Sequence, residues 1–191
     1  MNAHCSNSNQ RPSLSCGIIW SRLGPYHASR LKAAREHGEV GCVEIYAHDS
    51  GRPWKLIPSE GATRRTTLFE SVPSGGPTTP EMVARLEAAL EALAPDVVIV
   101  PSWGEKYALA ALRWCLRTRT VPVVMTESTQ FDRKRVWWRE GTKRLLVRRF
   151  SAGIVASSRA SRYLQGLGLP ASRIRTKLNV VDNHHFATGA D

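Results

Sequence analysis

Short apolar runs alternate along this chain with longer stretches of helical spacing, and each run is bounded by turn-forming residues. Cys16–Trp20 (CGIIW) is a continuous apolar run of the kind that a strand buried on both faces requires. After Ser21–Pro25, helical spacing runs from Tyr26 to about His37. Leu31 and Ala34 carry the apolar side, and Gly38 stands where a helix C-terminal glycine belongs. Val40–Ala47 (VGCVEIYA) predicts a second strand, so the first two strands and their helix form one βαβ unit. Residues 48–79 carry the weakest pattern: Thr66–Val72 predicts a strand and Pro73–Thr79 a loop.

A well-marked helix follows. Thr79 is expected to cap it, Pro80 fits the first turn, Glu81 suits the positive end of the dipole, and Met82, Leu86, Leu90 and Leu93 recur at helical spacing. Ala94-Pro95 ends it, and Asp96–Val100 (DVVIV) is a strand. The unit then repeats: helix Gly104–Arg117, strand Val121–Thr126, a basic helical stretch 133–150 and strand Gly153–Ala156. A last helix, about Arg159–Leu167, ends at Gly168, and Ile174–Val180 predicts a final strand. Strands alternating with helices predict an α/β fold: a Rossmann-like, doubly wound, mainly parallel sheet with helices on both faces.

Composition sharpens this picture without changing it. At 191 residues and 42% hydrophobic, one domain with a real core is expected. Residues 1–14 are polar, predict a disordered leader, and lack the apolar centre of a secretory signal. The longest apolar runs are too short to span a bilayer. Cys5, Cys16, Cys42 and Cys115 form no C-x-x-C pair, so zinc and redox motifs find no support. The last three lie in apolar stretches and read as small reduced hydrophobes, which favours a cytoplasmic setting.

The net charge of +11 favours phosphate-bearing or otherwise anionic partners, although an Arg-rich genome gives the same excess. It is concentrated between Arg113 and Arg149, where eleven basic residues face only Glu127, Asp132 and Glu140. Trp137, Trp138, Leu145 and Leu146 interleave with Arg133, Lys134, Arg135, Arg139, Lys143 and Arg144, which suits an anionic membrane interface. Arginine stems wrapping a packed helix is the competing reading. No nucleic-acid-binding signature accompanies the charge, so nucleic acid is disfavoured.

Open parallel sheets bind ligands beyond the carboxyl ends of their strands. That rule selects Ser21–His27, Pro101–Glu105, Glu127–Asp132 and Ser157–Arg159. The first loop has only Gly24 and no G-x-G-x-x-G, so dinucleotide binding of the usual kind is unsupported. His27 either contacts substrate or caps its own helix, with Pro25 and Tyr26 shaping the turn. Trp103 serves either as a stacking platform at the cleft mouth or as a lid on the core. Glu127 and Ser128, with Thr129 and Asp132, suit hydrogen bonding to sugar hydroxyls, and helix capping is the rival. His184-His185 has no partners at metal-ligand spacing, and no metal site is expected.

Several of these segments together resemble a known family. They are Gly24–Ala34 (GPYHASRLKAA), Glu127-Ser128-Thr129 with Asp132, Arg135, Trp138-Arg139-Glu140 and Lys143, Ser157–Pro170 with Arg173-Ile174, and the tail Asn179–Phe186 (NVVDNHHF). Over roughly residues 16–187 the chain resembles the N-terminal domain of bacterial family 4 (group 1) glycosyltransferases of the GT-B type. The resemblance implies half of a two-domain enzyme: this half takes a sugar or lipid-linked acceptor, and a C-terminal half binds a nucleotide-sugar donor. It also implies retaining, metal-independent transfer, and docking on the inner membrane through a basic surface.

By position, Gly24, His27 and Glu127 would line the acceptor side, with Tyr26, Trp103 and Ser128 nearby. Many relatives carry a His where this chain has Glu127-Ser128. The family's paired-Glu donor signature has no counterpart up to Asp191. Residues 15–187 are therefore expected to be the acceptor-side domain, with 188–191 beginning a linker to an absent C-terminal donor domain, the chain being a fragment, the product of a truncated gene or one subunit of a split enzyme. No donor or other cofactor is expected on this chain itself, and alone it is expected to be inactive. A nonenzymatic basic module that binds an anionic membrane or a partner protein is the alternative.

Overall fold

The computed structural model describes residues 14–48, 64–72, 77–132, 136–176 and Ala187. The leader up to residue 13, the tail 177–186 with NVVDNHHF, and Arg133, Lys134 and Arg135 lie outside the described residues. In chain order the elements are β1 (Cys16–Trp20), α1 (Pro25–Arg35), β2 (Val40–His48), β3 (Arg65–Ser71), α2 (Thr79–Leu93), β4 (Val97–Pro101), α3 (Lys106–Thr118), β5 (Val121–Thr126), α4 (Trp137–Val147), β6 (Ala152–Val155), α5 (Ser158–Gly166) and β7 (Ile174–Thr176). A 3-10 turn at Ala171–Arg173, which the sequence pattern does not announce, leads into β7.

The strands form one sheet in the order β3-β2-β1-β4-β5-β6-β7, with every neighbouring pair parallel. β1 and β4 lie side by side, with Cys16 opposite Val97 and Ile18 opposite Ile99. Chain direction across the sheet reverses at that junction. Strand alternation divides the side chains between two faces. Ile19, Val43, Ile45, Val98, Val100, Val124 and Val155 enter one continuous core with Leu86 and Leu90 of α2, Ala111 and Leu112 of α3, and Leu164 of α5. On the opposite face, Ile18, Trp20 and Cys42 form a smaller core with Leu23 and with Leu31 of α1.

Local chemistry explains the element ends. Thr78, one residue before the expected cap, caps α2: its hydroxyl accepts from the Glu81 amide at 3.4 Å. α2 stops at Ala94, which is left-handed at φ 46°, and the following Pro95 disfavours continuing the right-handed helix through that residue. Gly38 does not close α1 as expected; Glu36 ends that helix in right-handed geometry, and its amide donates to Ala33. Gly168, past the end of α5, does adopt positive φ (105°), where a Cβ would also meet the Arg148 side chain. At Gly41 a Cβ would collide with Leu93, so glycine lets α2 lie directly against β2.

Candidate functional site

The loop after β1 is fixed from below by a buried carboxylate. Glu44, only 1% exposed, accepts from the Leu23 amide at 2.6 Å, from the Arg65 guanidinium at 2.6 Å and from the Thr67 hydroxyl at 3.0 Å. A charge this deep survives only when its lone pairs are used in this way. The Tyr46 amide donates to the Ser21 carbonyl, completing the anchorage. Gly24 then begins α1, and its amide donates to Nδ1 of His27 at 3.1 Å. Because Nδ1 accepts, the neutral ring carries its proton on Nε2. The imidazole stacks on Trp20, with centroids 5.0 Å apart and planes at 26°.

Two further strand ends meet this loop. After β4, Ser102 is left-handed at φ 59°, and its amide donates to the Met125 carbonyl at 2.7 Å. A non-glycine residue in that conformation is uncommon and marks a turn held by its surroundings. After β5, the buried Thr126 hydroxyl accepts from the Ser128 amide at 3.1 Å. Asp132 closes the same loop: its carboxylate accepts from the Thr129 hydroxyl at 2.6 Å and from the Thr129 amide at 2.8 Å. These hydrogen bonds hold the Asp132 carboxyl below the ordinary aspartate range.

Between the three loops lies an open cavity of ≈ 460 Å³ at the reversal point of the sheet. Trp20, Pro101 and Met125 give it an apolar floor. His27, Arg30, Ser102, Glu127, Ser128 and Asp132 supply donors, acceptors and charges of both signs around it. Apolar surface beside hydrogen-bonding groups suits a polyhydroxylated ligand, whose C–H faces and hydroxyls need both.

Residues 26–179 match the model of the glycosyl transferase 4-like domain. The chain belongs to that family. No curated protein matches it. Among solved structures, the UDP-N-acetylglucosamine 2-epimerase from Rickettsia bellii shares the fold, with a TM-score of 0.57 and 17% identity over 84% of this chain and 44% of that one. The UDP-GlcNAc 2-epimerase from Methanocaldococcus jannaschii also gives 0.57 and 17%, over 85% and 45%. The apo form of the lipopolysaccharide outer core galactosyltransferase WaaB gives 0.55 and 13%, over 88% and 46%. This chain therefore spans less than half the length of the proteins whose fold it shares.

Within this glycosyl transferase 4-like domain, the structure gathers some of the expected residues and disperses others. His27, Glu127 and Ser128 line the cavity, and Gly24 stands behind His27. Tyr26 is 46% exposed on α1 and lies outside the lining. Trp103 is not at the cleft mouth: it is 8% exposed in the large core and tilted against Tyr163 at 6.3 Å. Sequence reasoning did not single out Trp20, Arg30, Ser102 or Met125. The spacing of Arg30 from His27, three residues along one helix, was the available signal.

α4 is likewise divided. Lys143 turns inward and donates to Glu140 at 2.8 Å and Tyr163 at 2.9 Å. Partial burial opposes its charge, but those bonds outweigh it and keep the amine above the ordinary lysine value. Arg144 reaches the Gly166 carbonyl at 3.2 Å, and Arg139 lies 5.0 Å from the Trp138 ring centroid. Trp137, Trp138 and Leu145 point outward, at 86%, 53% and 68% exposure. Among the described residues no helix is long and apolar enough to cross a membrane.

Proposed function

We propose that this domain forms the acceptor-side wall of a glycosyltransferase cleft, completed by a second domain that binds the nucleotide-sugar donor. The observation that carries this reading is the cavity at the β1–β4 junction, with His27, Arg30, Glu127 and Asp132 around an apolar floor. His27 Nε2–H and Arg30 donate to acceptor oxygens, while Glu127 and Asp132 accept from acceptor hydroxyls. This chain contributes orientation and hydrogen bonding, and the groups that stabilise the departing nucleoside diphosphate belong to the partner domain. Retaining, metal-independent transfer is part of the proposal.

The test is nucleoside diphosphate release by the purified 191-residue chain, supplied with nucleotide sugars and candidate acceptors. The expected result is no turnover alone, with saturable acceptor binding that weakens at least tenfold in His27→Ala and Glu127→Ala. Donor-dependent turnover by the chain alone, or acceptor binding indifferent to both substitutions, would overturn the reading.

The outward face of α4 favours a second reading, in which the domain acts without chemistry as a module on the cytoplasmic face of an anionic membrane. Trp137, Trp138 and Leu145 stand exposed, with Arg139, Arg148 and Arg149 exposed on the same helix and just beyond its end. Exposed aromatics beside arginines suit the headgroup boundary. Sedimentation with phosphatidylglycerol vesicles across a salt series decides it: binding that falls with salt and with Trp137→Ala/Trp138→Ala supports this reading, and no binding removes it.

A further inference from the structure

Residues of the β5–α4 loop also line a second cavity. Its volume is ≈ 450 Å³, and among the described residues it is lined by Gln130 and Phe131 of the loop and by Arg159 and Arg162 of α5. The two arginines are three residues apart, so both guanidiniums rise from one face of the helix. α5 has no acidic residue anywhere in its length, and among the described residues neither guanidinium makes an ion pair. Among the described residues of the preceding loop and helix, Asp132 accepts from Thr129, and Glu140 accepts from Lys143 and Tyr163. Phe131 is 70% exposed at the same cavity, and Gln130 adds an amide.

We propose that this second cavity is a phosphate site, and that the acceptor held by the first cavity is therefore a phosphorylated molecule. The chemistry is specific. Two planar guanidiniums present paired donors to oxyanions, and a phosphate monoester carries nearly two negative charges, which a single carboxylate does not supply. The volume exceeds what phosphate alone fills, so the attached group has room to lie on the Phe131 ring. Residues of one loop line both cavities, Glu127, Ser128 and Asp132 for the first and Gln130 and Phe131 for the second, and the link between the two sites rests on that shared loop. The link to the acceptor rests on the acceptor-side reading; the phosphate site does not.

The experiment titrates the full chain with inorganic phosphate at constant ionic strength, following amide shifts by NMR. Saturable shifts at residues 130–131 and 158–162 are expected, with affinity falling at least tenfold in Arg159→Gln/Arg162→Gln and unchanged in His27→Ala. Both arginines are exposed, so the double variant should melt with the parent, which shows that its loss is one of binding. A second arm uses dihexanoyl phosphatidic acid. A tenfold gain over inorganic phosphate that Phe131→Ala abolishes identifies a lipid phosphate as the source, and equal affinity identifies a water-soluble phosphate ester.

Shifts elsewhere, or a double variant that binds phosphate as the parent does, would overturn the site. Saturable sugar binding on the His27 side without phosphate binding would sink this proposal and leave the acceptor reading standing. Phosphate binding without any acceptor binding would do the reverse.

Discussion

The two faces of the sheet are covered differently, and the difference decides where chemistry is tolerated. On the face of α2, α3 and α5, Leu86, Leu90, Ala111 and Leu164 meet Val98, Val100, Val124 and Val155 in one dry core. On the face of α1, the described core is limited to Ile18, Trp20, Leu23, Leu31 and Cys42, with Ile99 and Met125 only partly covered. The buried polar residues among those described, Arg22, Glu44 and Thr126, sit in or against the loops at the end of that thinner face. The cavity opens there too, over Trp20 and Met125. Four of the five described helices share one face because β3 to β7 progress in one direction across the sheet, and right-handed crossovers then stay on one side. The thinner face leaves room for ligand, and its buried charges hold the loops that shape the opening.

That contrast can be broken at Glu44. Glu44→Ala leaves Arg65 buried without its carboxylate and frees the Leu23 amide, so urea unfolding should show a loss of about 3–5 kcal/mol. A loss below about 1 kcal/mol would mean that the pair does not anchor the loop. Next come matched truncations of one leucine on each face. Leu86→Ala should cost about 3–5 kcal/mol, and Leu31→Ala about 2 kcal/mol, because a thinly covered site collapses or hydrates more readily. Equal losses would deny the asymmetry.

Smaller effects test the same division through titration. Burial pushes Cys42 and Cys115 up to about 12, with the Glu44 charge adding to the effect at Cys42, and it pushes Cys16 up to about 11. Alkylation of the folded chain at neutral pH should therefore spare all three, and Cys16 should react first as pH rises. Rapid labelling of Cys42 or Cys115 without unfolding would show an opening that the structure lacks. The smallest effect is at Asp132. Its lowered carboxyl value means that its contribution to loop order is present above the ordinary aspartate range and is lost as pH falls through that lowered value. NMR titration should place its midpoint below that range, and Thr129→Ala should move it upward.

Much of this was legible along the chain. β1 and β5 occupy the spans their apolar runs announce, and β2, β3, β4 and β6 differ from theirs by a residue at one or both ends. β7 starts at Ile174 as expected, and the rest of its expected span, from residue 177 on, lies outside the described residues. Pro80 and the Ala94-Pro95 pair mark α2 within one residue. Trp103 was not legible: an aromatic beside a glycine after a strand fits a cleft or a core equally well, and only the left-handed turn at Ser102 and the facing Tyr163 settle it. Lys143 belonged by composition to a basic surface, yet Glu140 and Tyr163, the latter on another helix, draw it inward.

The amino-acid order by itself determined the alternation of strands and helices and their parallel class, because period and end signals are written within each segment. Only the tertiary structure decided that the ends of β1, β4 and β5 enclose one cavity and which side chains reach it. Those three strands come together through crossovers and register between segments tens of residues apart, and no local period encodes that juxtaposition.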